Sequence, residues 1–142
     1  MVDPARTAAV DSYETPGWLR DLLLVRNSAE VFPFGSSMAR TMDLDHTTPY
    51  RPIDDGGPPG QTGLHNLGPF SCRNHRAVTH GRWRRCQPEA GTYLFRAPHG
   101  YVFLVTNQGT LNLGHTDYAH QTWRAAIGHA RAGPAASAAS AA

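Results

Sequence analysis

Lysine is absent from this chain of 142 residues, and all thirteen of its basic side chains are arginine. A codon bias accounts for the missing lysine. It does not account for the bunching of Arg73, Arg76, Arg82, Arg84 and Arg85 in a stretch without a single acid. Guanidinium forks stay charged and match phosphate oxygens, whereas the net charge of only +2 does not by itself announce a nucleic-acid binder. Cysteine is scarce: Cys72 and Cys86 are the only two, without CxxC spacing, which excludes a cysteine zinc knuckle built from this chain alone. The first ten residues lack the apolar core of a signal peptide. Apolar runs such as Leu22 to Val25 are far too short to span a bilayer. The expectation is a soluble, cytoplasmic protein with no membrane partner, and one modest core at this length.

Three regions are expected. Residues 1–16 carry no sustained period and read as a flexible arm. Residues 17–114 read as one domain. Within it Trp18, Leu19, Leu22, Leu23 and Val25 recur at helical spacing. Val31 to Phe34 and Met42 to His46 read as short strands around the turn Gly35-Ser36-Ser37. Arg51 to Gly63, rich in Gly and Pro, reads as a long loop of the kind that is often functional. A helix is expected to start with Asn66 as cap and Pro69 in its first turn, and to stop at a left-handed Gly81. A β meander is expected over Trp83 to Gln87, Thr92 to Arg96 and Tyr101 to Thr106, its core made by Trp83, Tyr93, Phe95, Tyr101 and Phe103. Residues 115–142 read as weakly ordered, with a weak helix at most over Tyr118 to Ile127. The Ala-rich end cannot bury enough apolar surface to offset chain entropy and reads as disordered.

One constellation carries chemistry. Asp45-His46 ends a strand, Asn66 follows twenty residues after His46, and His75 lies nine residues further. A strand end, a loop and a helix can converge on one divalent ion, and a carboxylate with an imidazole leaves positions open for water and phosphate. Asp45 and His75 are the expected metal ligands. His46, with an ordinary pKa near 6.5, suits a general base at neutral pH. Asn66 would do no proton chemistry; its amide would pin the loop and fix the tautomer of His46. Adjacent strand residues point opposite ways, so joint use of Asp45 and His46 requires the backbone to turn at the strand end. Cys72 is expected near the core and Cys86 as an ordinary strand residue.

Asp45-His46-Thr47-Thr48-Pro49, the Gly56-Gly57 pair, Asn66-Leu67-Gly68-Pro69 and Arg73-Asn74-His75-Arg76 resemble the HNH endonuclease motif. The closer resemblance is to the C-terminal HNH module of a large actinobacterial group that carries a helical region ahead of it, and it covers about Val31 to Gly114. It implies an α+β fold: a small ββα-metal core, a short antiparallel β meander, a short N-terminal helix and a disordered C-terminal tail. It further implies cleavage of nucleic-acid phosphodiesters with one divalent ion (Mg, Mn, Ni or Zn), and double-stranded DNA as the expected partner. Asp45 matches the metal-binding acid, His46 the general base, Asn66 the middle Asn and His75 the final metal-binding His. His80, Arg73 and Arg76 match positions that contact phosphate or are structural. The chain departs from the group at Val78, where a Lys is usual, and at Val31-Phe32-Pro33-Phe34, where many relatives carry cysteine and Phe packing would take its place. Two functions follow as alternatives: a metal-dependent DNA endonuclease, or a nucleic-acid-binding module, the remnant of a larger HNH protein, that keeps the fold without the turnover. The sequence leaves the oligomeric state open.

Overall fold

The structure is a computed structural model that describes residues 9–38 and 42–140, with side chains to residue 129. It is mixed α+β, with three α-helices and two antiparallel sheets. Helix α1 (Gly17–Arg26) occupies the stretch its apolar spacing predicts, and Leu19 and Leu23 bury one face of it against Leu67. Strand β1 (Asp43–His46) pairs antiparallel with β2 (Leu67–Phe70), Asp45 lying opposite Gly68 and His46 opposite Leu67. The intervening twenty residues form the expected loop, interrupted by a single 3-10 turn at Ile53–Asp55. Helix α2 (Cys72–His80) follows β2 directly.

Three sequence expectations fail here. Asn66 does not cap a helix, because Leu67-Gly68-Pro69-Phe70 is a fully buried strand and the cap is Ser71, whose Oγ accepts from the Asn74 N–H at 3.3 Å. Pro69 fits the strand because what its segment contributes is a carbonyl, which accepts from the Val31 N–H at 3.0 Å. Gly68 is required by close approach: a Cβ there would stand 2.8 Å from both the Tyr93 hydroxyl and a Val31 methyl. Gly81 does end α2, but with φ −84° rather than in the left-handed region. Val31 to Phe34 is likewise not a strand but a turn, with Phe34 at φ 59°. Its side chains still go where the pattern sends them, Val31 into the core and Phe32 against Trp83 and Phe95.

The second sheet runs in the order β3 (Arg84–Glu89), β4 (Thr92–Arg96), β5 (Val102–Thr106), β6 (Gly109–Gly114). The first three match the expected meander. Alternation gives it two apolar faces. Tyr93, Phe95, Phe103 and Val105 face Phe70 and Val31. Cys86, Leu94 and Val102 face α3 (Asp117–Ser140), which buries Ala119 and Trp123 against them. The weak helix expected over Tyr118 to Ile127 lies within α3, and side chains beyond residue 129 lie outside those described. Tyr101 sits before β5 and is partly exposed, not core.

The two cysteines part company. Cys72 is exposed on α2 and Cys86 is buried under α3, where loss of solvent pushes its thiol up to about 11. Only thiolate is nucleophilic, so at pH 8 a thiol reagent is expected to label one cysteine per native chain and two after denaturation. Cys72→Ser should abolish the native signal; rapid labelling of two thiols in folded protein would contradict the burial of Cys86.

Candidate active site

The end of β1 is held from behind by β3. Arg85 reaches through the fold, its Nη2 donating to Asp45 Oδ2 at 2.5 Å and to the His46 carbonyl at 2.9 Å, with the guanidinium 4.9 Å from the Phe70 ring centre. Its other terminal nitrogen, Nη1, is buried with no hydrogen-bond partner among the described residues. Beside it Gln87 accepts from the Thr47 hydroxyl and donates to the Leu64 carbonyl. Arg26, at the end of α1, donates to the carbonyls of Leu64 and Leu67 and to the Tyr93 hydroxyl. Helix α1 and both sheets are thus pinned to the same few backbone carbonyls around β2. Burial holds the Arg26 guanidinium below its usual pKa and pushes the Tyr93 phenol up to about 12.

Helix α2 is anchored by a carboxylate that the sequence did not single out. Glu30, almost fully buried, accepts from the Ser71 N–H at 3.1 Å and from the Asn74 side chain at 2.8 Å. A negative group is well placed at a helix N-terminus, and this one fixes the first turn of α2, on which His75 sits. His75 Nε2 then lies 3.4 Å from Asp45 Oδ2. The two expected ligands therefore meet, although Arg85 and His75 both approach the same oxygen of Asp45.

His46 points the other way, as strand alternation requires, and is only 6% exposed. Its Nε2 is 2.8 Å from Thr62 Oγ1, and the Thr62 hydroxyl donates to the Ser12 carbonyl. A hydroxyl has one hydrogen. With that hydrogen committed to Ser12, Thr62 can only accept from His46, which fixes the neutral imidazole as the Nε2–H tautomer and leaves the lone pair on Nδ1. Burial lowers the His46 pKa; Asp45 opposes this shift and Arg85 adds to it. The net lowering favours the neutral imidazole at physiological pH.

Asn66 is close by but does not touch His46. Its Oδ1 accepts from the Thr48 N–H at 2.7 Å, and its Nδ2 donates to the carbonyls of Thr48 and Gln61 at 3.1 and 2.9 Å. The expected pinning of the loop is present; the orientation of His46 falls to Thr62 instead.

Residues 9–16 of the expected arm touch the loop and the end of β1. Val10 bridges to Thr62, Asp11 accepts from the Gly60 N–H, and the Tyr50 hydroxyl donates to the Asp11 carbonyl. This places the Tyr13 ring on His46, 5.5 Å between centres and 21° from parallel, with Tyr50 tilted against both. The expectation of flexibility over 1–8 lies outside the described residues. A cleft of about 410 Å³ opens at the strand end, and Tyr13, Arg20, Asp45, His46 and His75 line it. Asp45 and His46 thus serve one cleft from opposite faces of the strand, because the strand ends inside it.

His80, Arg73 and Arg76 lie exposed on α2, outside the residues that line the cleft. Sequence reasoning missed Tyr13, Glu30, Thr62 and Arg85. Only Arg85 left a signal: on a strand, Arg84 and Arg85 must face opposite ways, so one of them had to turn inward on the face shared with Trp83.

Two donor atoms each about 2.1 Å from one ion stand about 3.0 Å apart at a right angle and about 3.4 Å apart at a tetrahedral angle. The separation of Asp45 Oδ2 and His75 Nε2 falls at the upper value, so this pair fits a shared divalent ion. Among the described residues no group of three His, Cys, Asp or Glu side chains is placed to hold one, so water or substrate oxygens would fill the remaining positions. No helix among the described residues is long and apolar enough to cross a membrane. No protein-family model, curated protein or solved structure matches the chain.

Proposed function

We propose that this protein is a metal-dependent endonuclease of the HNH type that hydrolyses DNA phosphodiesters at the Asp45–His46–His75 cleft. The observation that carries the reading is the approach of Asp45 Oδ2 to His75 Nε2, 3.4 Å apart on the rim of a cleft that also holds a buried, neutral His46. The strand–loop–strand–helix order of β1, β2 and α2 suits the ββα-metal arrangement that the sequence resemblance implies. Asp45 and His75 would hold one divalent ion (Mg, Mn, Ni or Zn), which when bound would stabilise charge on the phosphate and on the leaving oxygen. His46 takes the proton of the attacking water at Nδ1, since Nε2 is engaged by Thr62. Asn66 fixes the loop that delivers Thr62. The exposed arginines Arg73 and Arg76 on α2, Arg82 between α2 and β3, and Arg84 on β3 suit contact with the phosphates of a duplex.

One observation favours the alternative, a nucleic-acid-binding module without turnover: Arg85 already neutralises the Asp45 carboxylate at 2.5 Å, which weakens its hold on a cation. Incubation of purified protein with a linear DNA duplex and each metal in turn separates the two. The enzyme gives cleavage that EDTA stops and added metal restores. Salt-sensitive binding without cleavage under any metal would establish the module instead.

Thr62 gives a finer test. Thr62→Val keeps the shape but offers His46 no acceptor, so cleavage is expected to fall about tenfold, a loss of about 1.4 kcal/mol in transition-state stabilisation, with DNA affinity unchanged and activity restored in Thr62→Ser. Equal cleavage by the Val variant would show that the tautomer of His46 is set elsewhere.

A further inference from the structure

Beside the β5–β6 side of the second sheet, a group of rings gathers that the proposed reaction does not use. His115, in the connection from β6 to α3, and His120, on the first turns of α3, bring their rings to 4.6 Å between centres and 86° apart, with His115 Nδ1 3.2 Å from His120 Nε2. Tyr101 stands edge-on to His115, and His99 packs on the other side of Tyr101.

We propose that His115 and His120 form a separate site for a borderline divalent ion of the nickel, copper or zinc class. The separation of the two facing nitrogens lies between the right-angle and tetrahedral spans for ligands about 2.0–2.1 Å from one ion, about 2.9 and about 3.4 Å. Imidazole nitrogens select these ions over Mg and Ca, which prefer oxygen. The pair is also pre-positioned. A Cβ on Gly100 would stand 2.6 Å from His115 Nε2, and Gly100 has φ +93°, so this glycine alone provides the seat for the Nε2 edge and leaves Nδ1 turned to His120. His120 is fixed by helix α3, its N–H bonded to the Thr116 carbonyl at 3.0 Å. Rigid placement of ligands lowers the ordering cost of binding. Without metal, one facing nitrogen carries a hydrogen and donates to the other. Binding requires that hydrogen to move to the far nitrogen of the same ring, so both lone pairs face the ion and no net proton is released from neutral rings. With two protein ligands, water completes the shell.

The bound ion would clip the β6–α3 connection to α3, so it should stabilise the fold as any ligand selective for the native state does. Loss of an outer-shell partner alone costs about 10–100-fold in metal affinity, and removal of one of two direct ligands is expected to cost at least as much. Titration of the whole protein with Ni(II) alone, followed by calorimetry and by histidine-ring NMR, tests this. Wild type, His99→Gln and His75→Ala should bind, with the His115 and His120 resonances the first to broaden. His115→Gln and His120→Gln should each lose that binding while keeping the wild-type circular dichroism. Broadening of the remaining ring of the pair in either of these folded variants at the nickel concentration that suffices in wild type, its loss in His75→Ala, or broadening confined to other histidines throughout the titration would overturn the proposal. The NMR result on unaltered protein decides the matter if a variant does not fold.

Discussion

Replacing His46 with alanine is expected to slow DNA cleavage by about 10²–10⁴-fold, the range for loss of a positioned general base, while DNA affinity stays within about twofold of wild type on the ground that phosphate contacts carry most of that affinity. The fold commits several contacts to this imidazole. A histidine 6% exposed, stacked under Tyr13, held at one nitrogen by Thr62 and depressed in pKa by burial, is kept neutral with one defined lone pair. Alanine removes that lone pair and leaves a void under Tyr13. The stability loss must therefore be measured alongside, and cleavage compared well below the melting temperature of the variant. His46→Gln, which can still donate to Thr62, is expected to recover stability without recovering cleavage. Wild-type rates in either variant would remove His46 from the chemistry.

Asn66→Ala is expected to destabilise the fold by about 3–5 kcal/mol, since an unsatisfied buried polar group costs about 1–3 kcal/mol and the change strips partners from the Thr48 N–H and from the carbonyls of Thr48 and Gln61. For a chain of this size that corresponds to a fall in Tm of about 10–20 °C. Asn66→Asp is the sharper case. It keeps the shape and the acceptor for Thr48, but sets a carboxylate oxygen against two carbonyls, so it should be no more stable than the alanine variant. Denaturant unfolding measures both. A loss under about 1 kcal/mol in Asn66→Asp would mean that the loop does not depend on this amide. The consequence for function is indirect: the same loop carries Thr62, and Thr62 sets His46.

How far the sequence reveals this arrangement depends on the kind of signal each part leaves. Helix α1 and strands β3 to β5 are legible because their large apolar side chains repeat at the period of the element. Helix α3 reads from the sequence only as a weak helix over Tyr118 to Ile127, although Leu94 and Val102, alternating with Tyr93, Phe95 and Phe103, make the sheet apolar on both faces, and a second apolar face needs a cover. Ala119 and Trp123 supply it. The Leu67–Phe70 strand was read as helix because Asn66 and Pro69 are good helix-start residues, a local preference that full burial of all four residues overrides. At the site, Asp45, His46 and His75 could be named from their order and element types. Their partners could not. Thr62 sits in a Gly/Pro-rich loop with no period, Tyr13 in a segment with no pattern, and Glu30 reaches the start of α2 from forty-one residues away in sequence. Such contacts are made by tertiary closure, which no local spacing encodes.

The most direct test of the central claim, that Asp45, His46 and His75 form one hydrolytic site, is relaxation of supercoiled plasmid by wild type, Asp45→Asn, His46→Ala and His75→Ala side by side, each with Mg, Mn, Ni or Zn. The expected result is metal-dependent nicking by the wild type and its loss in all three folded variants, with Asp45→Asn and His75→Ala also losing affinity for the activating metal and His46→Ala retaining it. Folded wild type that leaves the plasmid supercoiled with every metal, or nicking that persists in the His46 and His75 variants alike, would contradict it.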